Sequence, residues 1–206
     1  MFDRHLQKFT QKPLALLGKI LLKKISPNHV SLIGFLFGIL MCICITFKLF
    51  SFALLFLILN RVCDGLDGVM ARMTTPTHLG SYLDIVFDFI VYSGFVLVFG
   101  FHDNSNLLIS SILLFCYICT GTTFLTQAIV QPKLDTFHKD EGFGNDIPKG
   151  FLYSAGFIEG TETILFMLLC LLFPNLFIYF GLIFSVLCLF TALSRVIVFY
   201  KKNISC

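Results

Sequence analysis

Long apolar runs alternate with short polar segments along most of this chain. Each run has roughly the 20 residues with which an α-helix crosses the hydrocarbon core of a bilayer. The pattern therefore predicts an all-α integral membrane protein with six transmembrane helices, in a single domain over residues 1–206. The predicted spans lie at about 27–47, 51–72, 79–101, 106–130, 150–173 and 176–200.

Residues 1–25 precede the first span and show a different pattern. Apolar residues such as Leu6 and Leu16 are interspersed with basic residues such as Lys8 and Lys19. This arrangement predicts a basic amphipathic juxtamembrane helix that lies on an anionic membrane surface. A basic flank that orients the first span explains the same residues, and the two roles are compatible.

Composition and charge agree with a membrane protein. The 206 residues are 57% hydrophobic and have a mean hydropathy of +0.89, which is typical of polytopic membrane proteins rather than soluble domains. Most of the 15 Lys and Arg residues lie in the N-terminal segment, at Arg72, in the polar loop 131–149 and near the C-terminus. The positive-inside rule therefore predicts that both termini and the Arg72 end of the second span face the cytoplasm.

Four aspartates lie in the hairpin that the second and third spans are predicted to form. Their spacing is i,i+3 and i,i+4, so each pair projects from one face of its helix. A charged carboxylate is costly inside a bilayer, and such residues are usually functional. The polar segment 74–78 between the two pairs contains Pro76 and predicts a turn. The aspartates are Asp64, Asp67, Asp84 and Asp88.

An antiparallel hairpin would bring the two pairs of aspartates to the same depth. Asp64 lies eight residues before Arg72, and Asp88 lies eight residues after Gly80. At about 1.5 Å per helical residue, both aspartates are expected about 12 Å below the turn. Neighbouring carboxylates cannot all ionise without compensation, and hard cations such as Mg²⁺ or Mn²⁺ prefer oxygen ligands. The sequence thus predicts a divalent-metal site. The alternative is a set of neutral or arginine-paired carboxylates that join the helices.

The pattern Asp64-x2-Asp67-Gly68-x2-Ala71-Arg72-x7-Gly80-x3-Asp84-x3-Asp88 resembles the signature of the CDP-alcohol phosphatidyltransferase family. The chain as a whole is similar to bacterial inner-membrane members of that family. The resemblance implies that the four aspartates bind two metal ions, Mg²⁺ or Mn²⁺, and that Asp88 also deprotonates the acceptor hydroxyl. It further implies a nucleotide site formed by Asn28, Ser31, Gly68, Arg72 and Thr77, with His78 as an alternative to Thr77.

A second group of charged residues lies in the predicted fifth span and in neighbouring spans. Glu159 and Glu162 are spaced i,i+3, and Arg61 and Arg195 also lie within spans. We expect these residues to form a buried polar chamber for the acceptor alcohol. Interhelical hydrogen bonds by protonated glutamates, together with a snorkelling arginine, are the structural alternative.

The function that the resemblance implies is phospholipid biosynthesis in a bacterial inner membrane. The expected reaction transfers a phosphatidyl group from CDP-diacylglycerol to a small alcohol, with glycerol 3-phosphate as the first candidate, and releases CMP. Two alternatives remain open, namely phosphoalcohol transfer from a CDP-alcohol to diacylglycerol and a cation-coupled transporter. The resemblance implies a homodimer, and nothing in the sequence indicates a nucleic-acid partner.

Overall fold

The computed structural model describes residues 13–22, 24–140 and 158–204, and all the regular elements in these ranges are helical. Two short 3₁₀ turns, Asn104–Asn106 and Pro174–Leu176, precede the fifth and seventh helices. The helices are α1 (13–21), α2 (Pro27–Thr46), α3 (Phe50–Met73), α4 (His78–His102), α5 (Leu107–Asp140), α6 (Gly160–Leu172) and α7 (Phe177–Ile204).

Within the described ranges, four helices are long and apolar enough to cross a membrane, namely α2, α4, α5 and α7. Helix α3 has 24 residues, but Arg61, Asp64 and Asp67 interrupt its apolar sequence. Helix α6 is apolar but has only 13 residues, and residues 150–157 of the predicted fifth span lie outside the described ranges. The all-helical membrane fold is therefore confirmed, whereas the count of six spans stays a prediction.

Two helix boundaries differ from those predicted from hydropathy. Helix α5 continues to Asp140, ten residues into the predicted polar loop 131–149, because hydropathy marks where the membrane ends rather than where backbone hydrogen bonding stops. Helix α6 begins at Gly160, after Glu159 in an extended conformation with φ −125° and ψ −165°. Glu159 is therefore the N-cap of α6 and not a residue inside a helix, as its place in the predicted fifth span 150–173 had suggested.

Stacked aromatic rings fill the centre of the bundle and join helices that are distant in sequence. The rings of Phe99 on α4 and Phe177 on α7 stack with centroids 4.6 Å apart, and those of Phe166 on α6 and Phe184 on α7 stack at 4.4 Å. Phe99 and Phe177 are fully buried, and Phe166 and Phe184 are only 4% and 5% exposed. Helices inside a bilayer gain no hydrophobic free energy when they associate, because lipid tails are as apolar as their side chains. Close van der Waals packing of this kind therefore stabilises the bundle.

Glycines bring α2 into close contact with the two helices that carry the aspartates. A Cβ at Gly34 would lie 2.9 Å from Cβ of Cys63 on α3, and one at Gly38 would collide with Val91 on α4. Two turns further along α3, Gly18 of α1 lies against Met70, in an apolar cluster that also contains Val30 of α2. The aspartate hairpin thus packs against α2 and, near the end of α3, against α1, and the N-terminal ends of α2 and α4 lie together near its turn.

Candidate metal centre

The aspartates lie on the antiparallel hairpin of α3 and α4 that the sequence predicted. The turn at 74–77 ends at Thr77, which is the N-cap of α4 and accepts a hydrogen bond from the Gly80 backbone N–H at 3.0 Å. Capping of this kind satisfies a backbone N–H and stabilises the start of the helix. Below this turn, the aspartates of α3 and those of α4 line one small cavity.

Three carboxylates come together between α3 and α4, below the turn of the hairpin. Oxygen atoms of Asp64, Asp67 and Asp84 all lie within 4.8 Å of one another. The Ser31 hydroxyl of α2 donates a hydrogen bond to Oδ2 of Asp67 at 2.5 Å, and Asp67 is only 8% exposed. A compact set of carboxylate oxygens suits a hard divalent cation, so this donor set fits the metal that the sequence predicted.

The fourth aspartate, Asp88, has different partners. Arg61 Nη2 donates to its Oδ1 at 2.8 Å, and the Tyr92 hydroxyl donates to its Oδ2 at 2.9 Å. Arg61 Nη1 lies 3.0 Å from the Tyr92 hydroxyl oxygen and 3.5 Å from Oδ2 of Asp64. Asp88 is thus tied to an arginine and a tyrosine, whereas the other three aspartates form the cluster. We refer to Asp64, Asp67 and Asp84 as the three-carboxylate cluster.

The sequence pattern indicated no role for Tyr92 and placed Arg61 in the predicted acceptor chamber. The spacing offered a signal in each case, because Tyr92 follows Asp88 by one helical turn and Arg61 precedes Asp64 by one turn. The pairing of Arg61 with Asp88 joins α3 to α4, and no spacing within a single helix can reveal it.

A cavity of about 880 Å³ opens above the three-carboxylate cluster. Thr77 lines it, whereas the alternative His78 is absent from its lining. Gly80 brings Asn28 and Thr77 together, since a Cβ there would lie 3.3 Å from Asn28 Oδ1 and 3.2 Å from Thr77 Oγ1. The predicted nucleotide residues Asn28, Ser31, Gly68, Arg72 and Thr77 all line this cavity, together with Asp64, Asp67 and Asp84.

A much smaller cavity of about 20 Å³ lies deeper in the hairpin. Arg61 and Asp88 line it, as do the members of the three-carboxylate cluster. A space of this size holds about one water molecule or ion. The arginine-bound aspartate and the cluster therefore face a shared small space.

The residues of the predicted acceptor chamber are divided between two places. Arg61 bonds Asp88, as described above, while Arg195 donates to the Thr120 backbone carbonyl at 3.1 Å and lies over the ring of Phe124. Glu159 and Glu162 form a capping box at the start of α6. Among the described residues, the lining of both cavities comes from positions 14–88, so the glutamates and Arg195 lie outside it.

Carboxylates inside an apolar helical bundle usually mark a functional site, and a divalent cation bound by them could act on a substrate in the polar cavity above. The family model for CDP-alcohol phosphatidyltransferase matches residues 24–193, and the chain belongs to this family. It is also 38% identical over 200 residues to "Inner membrane protein YnjF" of Escherichia coli (strain K12), a match that covers 95% of this chain and 94% of the relative.

Family membership confirms the resemblance found in the sequence. It identifies the protein as a membrane enzyme of phospholipid synthesis that transfers a substituted phosphate group, which excludes the transporter considered above. Divalent cations are general in the family, and the three-carboxylate cluster supplies a matching donor set.

Proposed function

We propose that this protein transfers a phosphatidyl group from CDP-diacylglycerol to a small alcohol and releases CMP. Glycerol 3-phosphate is the first candidate for the alcohol. The observation that carries the proposal is the three-carboxylate cluster at the base of a cavity lined by the polar residues that the family signature assigns to the nucleotide. The similarity to an inner-membrane protein supports a bacterial inner membrane as the location.

The metal would be Mg²⁺ or Mn²⁺, with two ions held by the four aspartates. Carboxylate oxygens of Asp64, Asp67 and Asp84 lie close enough together to bind a common ion, and Asp88 borders the same small cavity. When bound, such ions neutralise phosphate oxygens and stabilise the charge that develops on the leaving phosphate.

The upper part of the cavity suits the nucleotide. Asn28 and Thr77 offer hydrogen-bonding groups where the N-terminal ends of α2 and α4 meet. Gly68 leaves the backbone of α3 open beneath the guanidinium of Arg72, whose Nη1 would lie 3.5 Å from a Cβ at that glycine. A guanidinium at this position can donate two parallel hydrogen bonds to phosphate oxygens.

In the proposed step, Asp88 accepts the proton of the acceptor hydroxyl. The acceptor oxygen then forms a bond to the phosphorus that carries diacylglycerol, and the bond from that phosphorus to the oxygen of CMP breaks. The electron pair of the broken bond leaves with CMP. An aligned carboxylate base of this kind contributes about 10²- to 10⁴-fold to a rate.

Purified protein in detergent, incubated with Mn²⁺, CDP-diacylglycerol and a panel of alcohols, tests the proposal. We expect release of CMP together with a new phospholipid, and no release by Asp67→Asn, which changes a member of the cluster. If CMP is released from a CDP-alcohol in the presence of diacylglycerol, and none from CDP-diacylglycerol, the protein instead transfers a phosphoalcohol from a CDP-alcohol to diacylglycerol.

A further inference from the structure

The guanidinium of Arg61 is engaged on several sides within the bundle. Its Nε donates to Oδ1 of Asn60 at 2.8 Å, its Nη2 donates to Asp88, and its Nη1 reaches Tyr92 and Asp64. The side chain is only 15% exposed. An arginine bound in this way is not snorkelling to the membrane surface.

The groups that hold Arg61 are themselves fixed by three helices. Asn60 is 4% exposed and donates to the Gly34 backbone carbonyl of α2 at 2.8 Å. Tyr92 of α4 donates to Asp88, and its ring lies under the guanidinium at 5.5 Å. The position of the positive charge is therefore set by α2, α3 and α4 together.

This fixed charge faces a site that also attracts cations. Arg61 bonds Asp88 and approaches Asp64, so it neutralises part of the negative charge that a divalent ion would bind. It also lines the small cavity shared with the three-carboxylate cluster. At such short range, inside a low-dielectric environment, one fixed charge changes the affinity for another ion considerably.

We propose that Arg61 is an internal counter-ion that holds Asp88 apart from the three-carboxylate cluster and thereby limits the affinity of the site for divalent cations. Arg61 is a positioning residue in this account, because it acts through Asp88 and Asp64. The proposal rests on the metal site of the proposed function, but it concerns the binding of the metal alone and requires no turnover.

Binding of Mn²⁺ to purified protein without nucleotide or lipid substrate tests the proposal, by calorimetry and by thermal unfolding with and without the metal. Arg61→Met removes the charge while keeping a long side chain. We expect it to bind Mn²⁺ about tenfold or more tightly than the wild type. We also expect a lower unfolding temperature in chelator and a larger rise on adding Mn²⁺, because Asp88 and Asp64 then need the metal as counter-ion.

Two variants separate this effect from a general loss of stability. Arg61→Lys restores a positive charge and should return the Mn²⁺ affinity close to that of the wild type. Arg195→Met removes the other buried arginine of the described spans, which bonds Thr120, so it should lower the unfolding temperature without changing the Mn²⁺ affinity. Equal Mn²⁺ affinities for wild type and Arg61→Met, or equally tight binding by Arg61→Lys and Arg61→Met, would overturn the proposal.

A milder substitution covers the case in which Arg61→Met does not fold. Tyr92→Phe removes only the hydroxyl that bonds both Arg61 and Asp88, and we expect a smaller increase in Mn²⁺ affinity. Tyr82→Phe on the exposed surface of the same helix is its control and should bind as the wild type does. No difference between these two variants would count against the counter-ion, whereas no Mn²⁺ binding by the wild type would overturn the metal centre and the counter-ion together.

Discussion

Asp88 and Asp64 lie on facing helices, yet their partners give them different tasks. Asp64 belongs to the three-carboxylate cluster, while both oxygens of Asp88 accept hydrogen bonds from Arg61 and Tyr92. A carboxylate that is oriented by two donors is well placed to receive a proton from a defined direction. Replacement by asparagine should therefore impair different steps of the reaction at the two positions.

We predict that Asp88→Asn slows the chemical step by about 10²-fold or more, because the amide keeps the shape but cannot accept the proton. Nucleotide binding should survive better than in Asp64→Asn, which removes a cluster carboxylate. Single-turnover release of CMP measures the first effect, and titration with a CDP analogue measures the second. Near-normal turnover of Asp88→Asn at saturating acceptor would contradict the role of general base.

Arg195 provides a test of the acceptor. It is 6% exposed and lies near the start of α6, since the Ile158 backbone N–H donates to Oγ1 of Thr191, one turn away on α7. If it binds the phosphate of glycerol 3-phosphate, Arg195→Ala should raise the KM for that acceptor strongly and leave the KM for CDP-diacylglycerol nearly unchanged. Better use of uncharged glycerol by the wild type, or an unchanged acceptor KM in the variant, would exclude a phosphate contact here.

At the scale of helices, the sequence predicted some boundaries well and others poorly. Helices α3 and α4 match the predicted spans 51–72 and 79–101 within one residue at each end, because a polar turn with Pro76 separates two apolar runs. The C-terminal end of α5 and the start of α6 do not coincide with changes in hydropathy, so these two boundaries were misplaced. The Arg61–Asp88 pair depends on how α3 and α4 rotate against each other, which a single helix pattern does not specify.

The contact of α2 with α4 should depend on Gly38. Replacement by Ala would place a methyl group against Val91, and we predict destabilisation of about 1–3 kcal/mol, as is typical of overpacking. Gly160→Ala is the matched control, because within the described residues no atom beyond its chain neighbours and its own helix backbone lies within 4 Å of a Cβ there. Thermal unfolding in detergent should show a lower midpoint for Gly38→Ala alone. Equal midpoints would mean that α2 can shift away from Val91 at little cost.

At the scale of the whole molecule, the metal should connect folding with activity. The cluster brings residues of α3 and α4 together and receives a hydrogen bond from Ser31 of α2, so a bound ion would stabilise the folded arrangement of all three helices. We predict that EDTA abolishes CMP release and lowers the unfolding temperature, and that Mg²⁺ or Mn²⁺ restores both. Undiminished CMP release after verified removal of metal would refute metal dependence.

Whether the two termini lie on the same side of the membrane depends on the number of times the chain crosses it. Crossing by α3 and α6, in addition to the four long apolar helices, would return the C-terminus to the side of the N-terminus. We predict that reporters fused at either end are cytoplasmic and that reporters inserted in the turns Asn104–Asn106 and Pro174–Leu176 lie on the opposite side, as the distribution of Lys and Arg indicates. A reporter at Pro174–Leu176 on the cytoplasmic side would show that α6 does not cross. The basic C-terminal end of α7 would then be left on the side that the positive-inside rule disfavours.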